Sequence, residues 1–290
     1  MCRYNPKIDL VFRKLFGSKE NKDILLSFIN AVLDREPKIE DLEIKNPYNL
    51  ADYLQGKMSI LDVKAVDEDG IWYDIEMQLA EQGAYGKRAL YYWSKVYSNQ
   101  IQKAEDYREL KKTIGIHLLD FNYFADKRYN RHIILKDNDT NETYEEIDYQ
   151  ELYFIEMSKF NKNLEELKTV LDRWITFLNN AYQYDKDTLP EDLRTEKEIE
   201  KAVQRLERMY FDEKEQEVYE AERKKIMDKK EEIKTAEEKG IEKGIERGIE
   251  KGKIESAIQL LESGHNEEEV MKLLKVEREI VEKAKGSHKE

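Results

Sequence analysis

Apolar positions along this chain change period several times, and each change marks a predicted element. In "KIDLVFRKLFGSKENKDILLSFINAVL" (7–33), Leu10, Val11, Lys14 and Leu15 recur at helical spacing and the pattern breaks at Gly17-Ser18. It resumes with Ile24, Leu25, Phe28, Ile29 and Val32. Two short helices follow, the second capped by Ser18 or Asn21. "IEDLEIKN" reads as a strand or its lead-in, ahead of a polar loop to about residue 57. "SILDVKAVDEDGIWYDIEMQ" (59–78) holds two alternating runs around an Asp-Glu-Asp-Gly turn, the pattern of a hairpin. "AYGKRALYYWSKVYSNQIQKA" predicts an aromatic-rich helix of about 20 residues. "KKTIGIHLLDF" reads as a buried strand, and "RYNRHIILKDN" and "ELYFIEMSKF" as two further strands at the sheet edge. From residue 163 the pattern turns helical. The expected organisation is a core over 1–162, a charged helical region over 163–238, a Lys-Gly-Ile-Glu repeat over 239–253 and a small helical segment over 254–290, where Gly264 ends one helix and Asn266 caps the next.

The hairpin carries a carboxylate in each of two otherwise core-like strands. Side chains alternate faces along a strand, so Trp72, Asp74, Glu76 and Gln78 share one face, as do Ile60, Asp62 and Lys64. A three-residue loop Glu68-Asp69-Gly70, with Gly70 left-handed, pairs Asp67 with Ile71, Lys64 with Asp74, and Asp62 with Glu76, whereas a four-residue loop would put the two acids on opposite faces. Like charges directly opposed across a strand pair destabilise it. A divalent cation with hard oxygen ligands relieves the repulsion, and Mg²⁺ prefers one or two carboxylates plus waters and substrate phosphate. Solvation of both acids on a half-exposed hairpin is the other way out, and the two residues alone leave both open.

Composition narrows the classes. The 290 residues carry a formal net charge of −13, which argues against general coating of nucleic acid, since that depends on Lys and Arg neutralising phosphates. Residues 1–125 are nearly balanced, with 18 basic and 20 acidic side chains, so a local basic groove is compatible with the count. Cys2 alone forms no intrachain disulfide and fits a reducing cytoplasm. No apolar leader or long apolar span stands out, so a soluble cytoplasmic protein without membrane partners is expected. The four histidines show no ligand spacing, and zinc chemistry is not indicated.

"DLVFRKLFG", the hairpin and "YYWSKVYSNQIQKAEDYRELKKTIGIHLL", in this order and spacing, resemble the PD-(D/E)XK nuclease family transposases, the recombination-promoting nucleases of Rpn type. The resemblance covers about residues 5–160, and the Lys-Gly-Ile-Glu tail is also similar to that family's extension. It implies an α/β, restriction-endonuclease-like mixed central sheet flanked by helices, with an all-α charged C-terminal extension. Asp62 and Glu76 match the acidic motif positions as Mg²⁺ ligands, Met77 offers its backbone carbonyl, and Asp9 matches an early acidic position, though it equally suits an exposed acid at a helix start. Gln78 stands where the name-giving lysine is expected and cannot supply positive charge, so the metal must carry more of the electrostatics. Lys64 is a partial substitute, with a salt bridge to Asp74 as the favoured alternative. Arg88 and Gln100 on the next helix are candidates for substrate phosphate, beside Lys87, Lys95 and tyrosines that core packing also explains.

The resemblance implies a Mg²⁺-dependent DNA endonuclease linked to recombination or mobile elements, with Asp62, Glu76 and Gln78 as its catalytic positions. The rival is a weak or inactive nuclease-fold scaffold acting through its helical tail. In that tail Gly240, Gly244, Gly248 and Gly252 repeat every four residues beside Ile241, Ile245 and Ile249. Each helical glycine costs about 0.8–1 kcal/mol relative to alanine, so the stripe is either a close helix–helix contact or a frayed linker. A homo-oligomer follows from the first reading.

Overall fold

The computed structural model describes residues 4–45, 62–80 and 83–287, apart from the side chains of Asp62 and Ser287. Helices α1 (Asp9–Phe16) and α2 (Lys22–Leu33) precede strand β1 (Leu42–Ile44). The hairpin strands β2 (Asp62–Asp67) and β3 (Trp72–Gln78) lead through α3 (Tyr85–Ser98) to β4 (Thr113–Leu119), β5 (Asn130–Ile134) and β6 (Gln150–Glu156). Among the described residues these strands form one mixed sheet in the order β1-β2-β3-β4-β6-β5. The central trio β3, β4 and β6 is parallel, and the outer pairings are antiparallel. Parallel neighbours need a crossover, and the β3–β4 connection uses α3 as its helix. This is the mixed, helix-flanked α/β sheet that the resemblance implied.

The hairpin turn fixes the register as the spacing requires. Gly70 sits at φ +83°, its amide donates to the Asp67 carbonyl, and the Asp67 amide donates to the Ile71 carbonyl. Asp62 therefore stands opposite Glu76, and Lys64 opposite Asp74.

Alternation then sorts the sheet into two unlike faces. Tyr73, Ile75 and Met77, with Ile114, Ile116 and Leu118, join the main core under α1 and α2. Trp174, fully buried, lies 5.8 Å from the Phe16 ring and 5.7 Å from the Phe28 ring and donates Nε1–H to Ser27 Oγ. It belongs to α4 (Val170–Asn180), and α6 (Lys197–Arg208) adds Ile199, Ala202, Val203 and Leu206 to the same core. The short α5 (Glu191–Arg194) connects them. The opposite face, with Asp74, Glu76, Gln78 and His117, lies beneath Tyr85 and Ala89 of α3.

The chain divides into two compact units, residues 1–226 and 227–290. The expected boundary at 162 thus falls inside the first unit, because α4–α6 complete its core. Residues Glu213–Glu262 form one helix, α7, which includes the glycine repeat. Ile241, Ile245 and Ile249 are more than half exposed there, and a Cβ on any of the four repeat glycines would meet nothing within 4 Å. The second unit has a small core of Ala257, Val270, Val276, Val281 and Ala284, shared by the end of α7 with α8 (Glu267–Leu274) and α9 (Arg278–Ser287). Gly264 adopts φ +96° and Asn266 caps α8 reciprocally with Glu269, as the sequence predicts. No helix of the described residues is long and apolar enough to cross a membrane.

Four details differ from the sequence expectation. Asn21 stands at the N-cap of α2 but makes no side-chain capping hydrogen bond; it and Ser18 instead donate backwards to the last carbonyls of α1, at Lys14 and Leu15. Helix α3 stops at Ser98, short of the predicted 20 residues, because Gln100 brackets the next strand instead of continuing the helix. β6 is interior, between β4 and β5, and is buried from Glu151 to Glu156. Finally, α4 begins only at Val170, where Thr169 and Asp172 form a capping box.

Asp172 is fully buried and accepts hydrogen bonds from Lys162 Nζ, Tyr129 Oη and the Lys168 and Thr169 amides. Burial alone would raise its pKa, but Lys162 and the other donors outweigh it and hold the carboxyl at about 2. A depressed carboxylate pKa contributes stability that is present above about pH 4 and lost as pH falls through about 2. Asp172→Asn should therefore lower stability by about 1–2 kcal/mol at neutral pH, after allowing for screening. Urea melts of both proteins at pH 7 and pH 2.5 should show the gap narrowing in acid; a constant gap would rule out the charge as its source.

Candidate active site

Strand β3 carries Glu76 between its two sheet neighbours, antiparallel β2 and parallel β4, and the residue is 2 % exposed. Its Oε2 lies 3.5 Å from Tyr85 Oη and 3.8 Å from His117 Nδ1. No Lys or Arg of the described residues pairs with it. An ionised carboxylate taken out of water without a cation costs several kcal/mol, so this position calls for a positive partner.

Tyr85 enters from the first turn of α3, and His117 from β4, where it is the register partner of Glu76. The tyrosine Oη is 3.0 Å from His117 Nδ1. Burial, reinforced by the Glu76 charge, pushes the phenol pKa well above its ordinary value, so the hydroxyl keeps its proton. One phenol proton cannot serve both acceptors. If it went to His117, the imidazole would carry its proton on Nε2, a buried atom with no hydrogen-bond partner. Directed to Glu76, it leaves Nδ1–H to donate to Tyr85, and only a ring lone pair stays unsatisfied. Orphaned buried N–H groups are rarer than under-satisfied acceptors. The polar order is therefore His117 to Tyr85 to Glu76, with the histidine holding the phenol in place.

The His117 ring stacks on Phe154 at 4.9 Å and lies over Gly115. A Cβ at Gly115 would stand 3.0 Å from His117 Nε2 and 2.9 Å from Leu152 Cδ2. The glycine in "TIGIHLL" thus leaves room for the imidazole.

The other predicted residues are distributed as follows. Asp62 is placed by its backbone opposite Glu76, and its side chain lies outside the described atoms. Gln78 shares the Glu76 face, is 3 % exposed, and its Nε2 has no hydrogen-bond partner. The Met77 side chain joins the apolar face, so only its backbone carbonyl is available on the hairpin. Asp9 lies in the first turn of α1 and accepts from Arg13 Nε at 3.1 Å. Arg88 sits one turn beyond Tyr85, 5.9 Å from its ring, and its charge opposes the effect of Glu76 on that phenol.

Gln100 falls at the other end of the sheet. Its Oε1 accepts from the Lys111 amide, and its Nε2 donates to the Lys111 carbonyl and Thr113 Oγ1. Thr113 pairs with Trp72, four residues along β3 from Glu76, or about 13 Å of strand. Gln100 is placed as a bracket on the chain entering β4. Tyr85 and His117 are neighbours of Glu76 that the sequence pattern does not single out. The available signal is the polar His117 in an apolar strand, two positions after a glycine.

A family model described as PD-(D/E)XK nuclease family transposase matches residues 6–236. The chain belongs to this family. No curated protein and no solved structure matches it. Membership in the PD-(D/E)XK nuclease family transposases points to a nuclease or mobile-element role, with DNA as the implied substrate and a divalent cation as the family's usual cofactor. The donor chemistry fits such an ion: Glu76 offers a hard oxygen that is buried without a Lys or Arg partner among the described residues. Among the described residues no three His, Cys, Asp or Glu side chains form a ready metal cluster.

Gly115→Ala should destabilise the protein by about 1–3 kcal/mol, since the new methyl must displace Leu152 or His117 in a packed layer. A urea midpoint equal to wild type would mean that the imidazole does not need the space.

Proposed function

We propose that this protein is a Mg²⁺-dependent DNA endonuclease, with the ion held by Asp62, Glu76 and the Met77 carbonyl. The register that sets Asp62 opposite Glu76, whose buried carboxylate has no Lys or Arg partner among the described residues, is the observation that carries this reading. When bound, the cation supplies Lewis-acid stabilisation of charge developing on a phosphoryl group. The chain's own residues then have separate tasks. Tyr85 orients the Glu76 carboxylate, and His117 fixes the Tyr85 proton. Gln78 offers amide N–H donors on the same face and can orient a water or a phosphate oxygen, without the charge of a lysine. Asp9, Lys64 and Arg88 are secondary candidates, Asp9 for the ion and the two bases for substrate phosphate. The family's transposase description supports a setting in recombination or mobile elements for this cut.

The second reading, a nuclease fold with little or no activity that acts through its helical tail, is favoured by one observation: a neutral amide, Gln78, occupies the position where a lysine would supply positive charge. Nicking of supercoiled plasmid separates the two. Wild type should cut with Mg²⁺ and stop with chelator, and Asp62→Asn and Glu76→Gln should each cut at least about 100-fold more slowly, while calorimetry shows weakened Mg²⁺ binding. Cutting near the wild-type rate by either variant would remove the proposed ligands. Wild type that binds Mg²⁺ without cutting would support the inactive scaffold.

Self-association is proposed on separate grounds. The exposed isoleucine row beside four glycines leaves an apolar helix face that a second copy can cover. Sedimentation should find at least a dimer, and truncation before Glu237 should shift it towards monomer. Identical association states would make the repeat a spacer.

A further inference from the structure

Helix α3 has a second face, which the Glu76 site does not use. Lys87, Leu90, Tyr91, Ser94, Lys95 and Ser98 recur at helical spacing and are all exposed, Tyr91 by 55 %. From Tyr85 to Ser98 the helix carries three bases and no acid, in a chain whose net charge is −13. Lys87 and Lys95 have no carboxylate partner among the described residues. Lys95 Nζ instead lies 4.9 Å from the Tyr91 ring centroid, and Arg88 lies 5.7 Å from that of Tyr92. Bases and rings therefore alternate along two i, i+4 columns, Lys87-Tyr91-Lys95 and Arg88-Tyr92. Lys87 and Lys95 are about 12 Å apart along the axis, with the tyrosine between them.

We infer that this outer face of α3 binds single-stranded nucleic acid, with Tyr91 stacking on a base and Lys87 and Lys95 on flanking phosphates. The inference rests on the nuclease reading for its substrate class and adds where, and in what form, the strand is held. An acid-free helix in an acidic chain is complementary to a polyanion. A flat ring between cations suits a strand whose base faces are open; a paired duplex hides those faces from a helix lying on its surface. Acidic peptides would match the lysines but leave Tyr91 without a stacking partner. The first turn of the same helix holds Tyr85 against Glu76, so a strand on this face runs alongside the helix that supports the hairpin.

Fluorescence anisotropy with labelled oligothymidylate and with a duplex of equal length, both in chelator, tests this on the full chain. Wild type should prefer the single strand. Tyr91→Ala should lose about tenfold in single-strand affinity. Lys87→Gln with Lys95→Gln should weaken binding and flatten the slope of log K against log salt by about 1.4. If wild type binds but the α3 variants match it, or lose duplex and single strand equally, the α3 assignment fails while the nuclease reading stands. If wild type binds neither probe, both fail.

Discussion

Burial of the Glu76 carboxylate in a central strand is the constraint around which this fold is arranged. A buried charge must be paired or hydrogen-bonded, and an inner strand cannot move aside to hydrate it. The surroundings answer only in part: one long hydrogen bond from Tyr85, and an imidazole just beyond. Two other buried acids are better served. Glu156 accepts from the Tyr123 and Phe124 amides and pairs with Lys159 at 2.7 Å. Glu151 is held below its ordinary pKa range, because Lys112, His132 and Tyr153 outweigh the cost of burial. The same chain thus gives these structural acids a cation and leaves Glu76 without one among the described residues. That contrast sets Glu76 apart from the acids that only hold the fold.

Stability elsewhere makes this deficit tolerable. The apolar face of β3 belongs to the same core as the cluster of Phe16, Phe28 and Trp174, drawn from three helices, one of them distant in sequence. That packing fixes the strand whatever happens on its polar side. The helices beyond residue 162 matter to the site for this reason, by holding the strand from behind. A sheet with one face devoted to cohesion can place unsatisfied groups on the other.

Legibility follows the range of the interactions. The hairpin register can be read from sequence because a local turn with Gly70 sets it, and every cross-strand pair then follows from alternation. Helix positions in the first 33 residues can be read from periodicity alone. Ser18 and Asn21 are recognisable as punctuation but serve the other helix end, since a side chain in a tight interhelical turn can reach either side. Tyr85 and His117 are not readable as partners of Glu76, because they meet only after the crossover folds α3 onto a parallel strand pair. Gln100 looks like a site residue because its helix is rich in phosphate-binding types. Its short distance in sequence from Thr113 decides its role instead, and that contact closes only when the chain turns into β4.

The missing lysine is best understood together with α3. A lysine at position 78 would add positive charge to the strand, on the same face as Glu76. Here the strand offers a neutral amide, and the positive charge acting on the Glu76–Tyr85 pair belongs to Arg88, one turn along the helix. Placing the base on the helix leaves the strand neutral at position 78. It also puts the bases on the same element as the exposed Tyr91, within two turns of the buried Tyr85. Helix α3 then joins two jobs that a strand lysine would separate: its inner side orients the carboxylate, and its outer side supplies positive charge in a chain that is acidic as a whole.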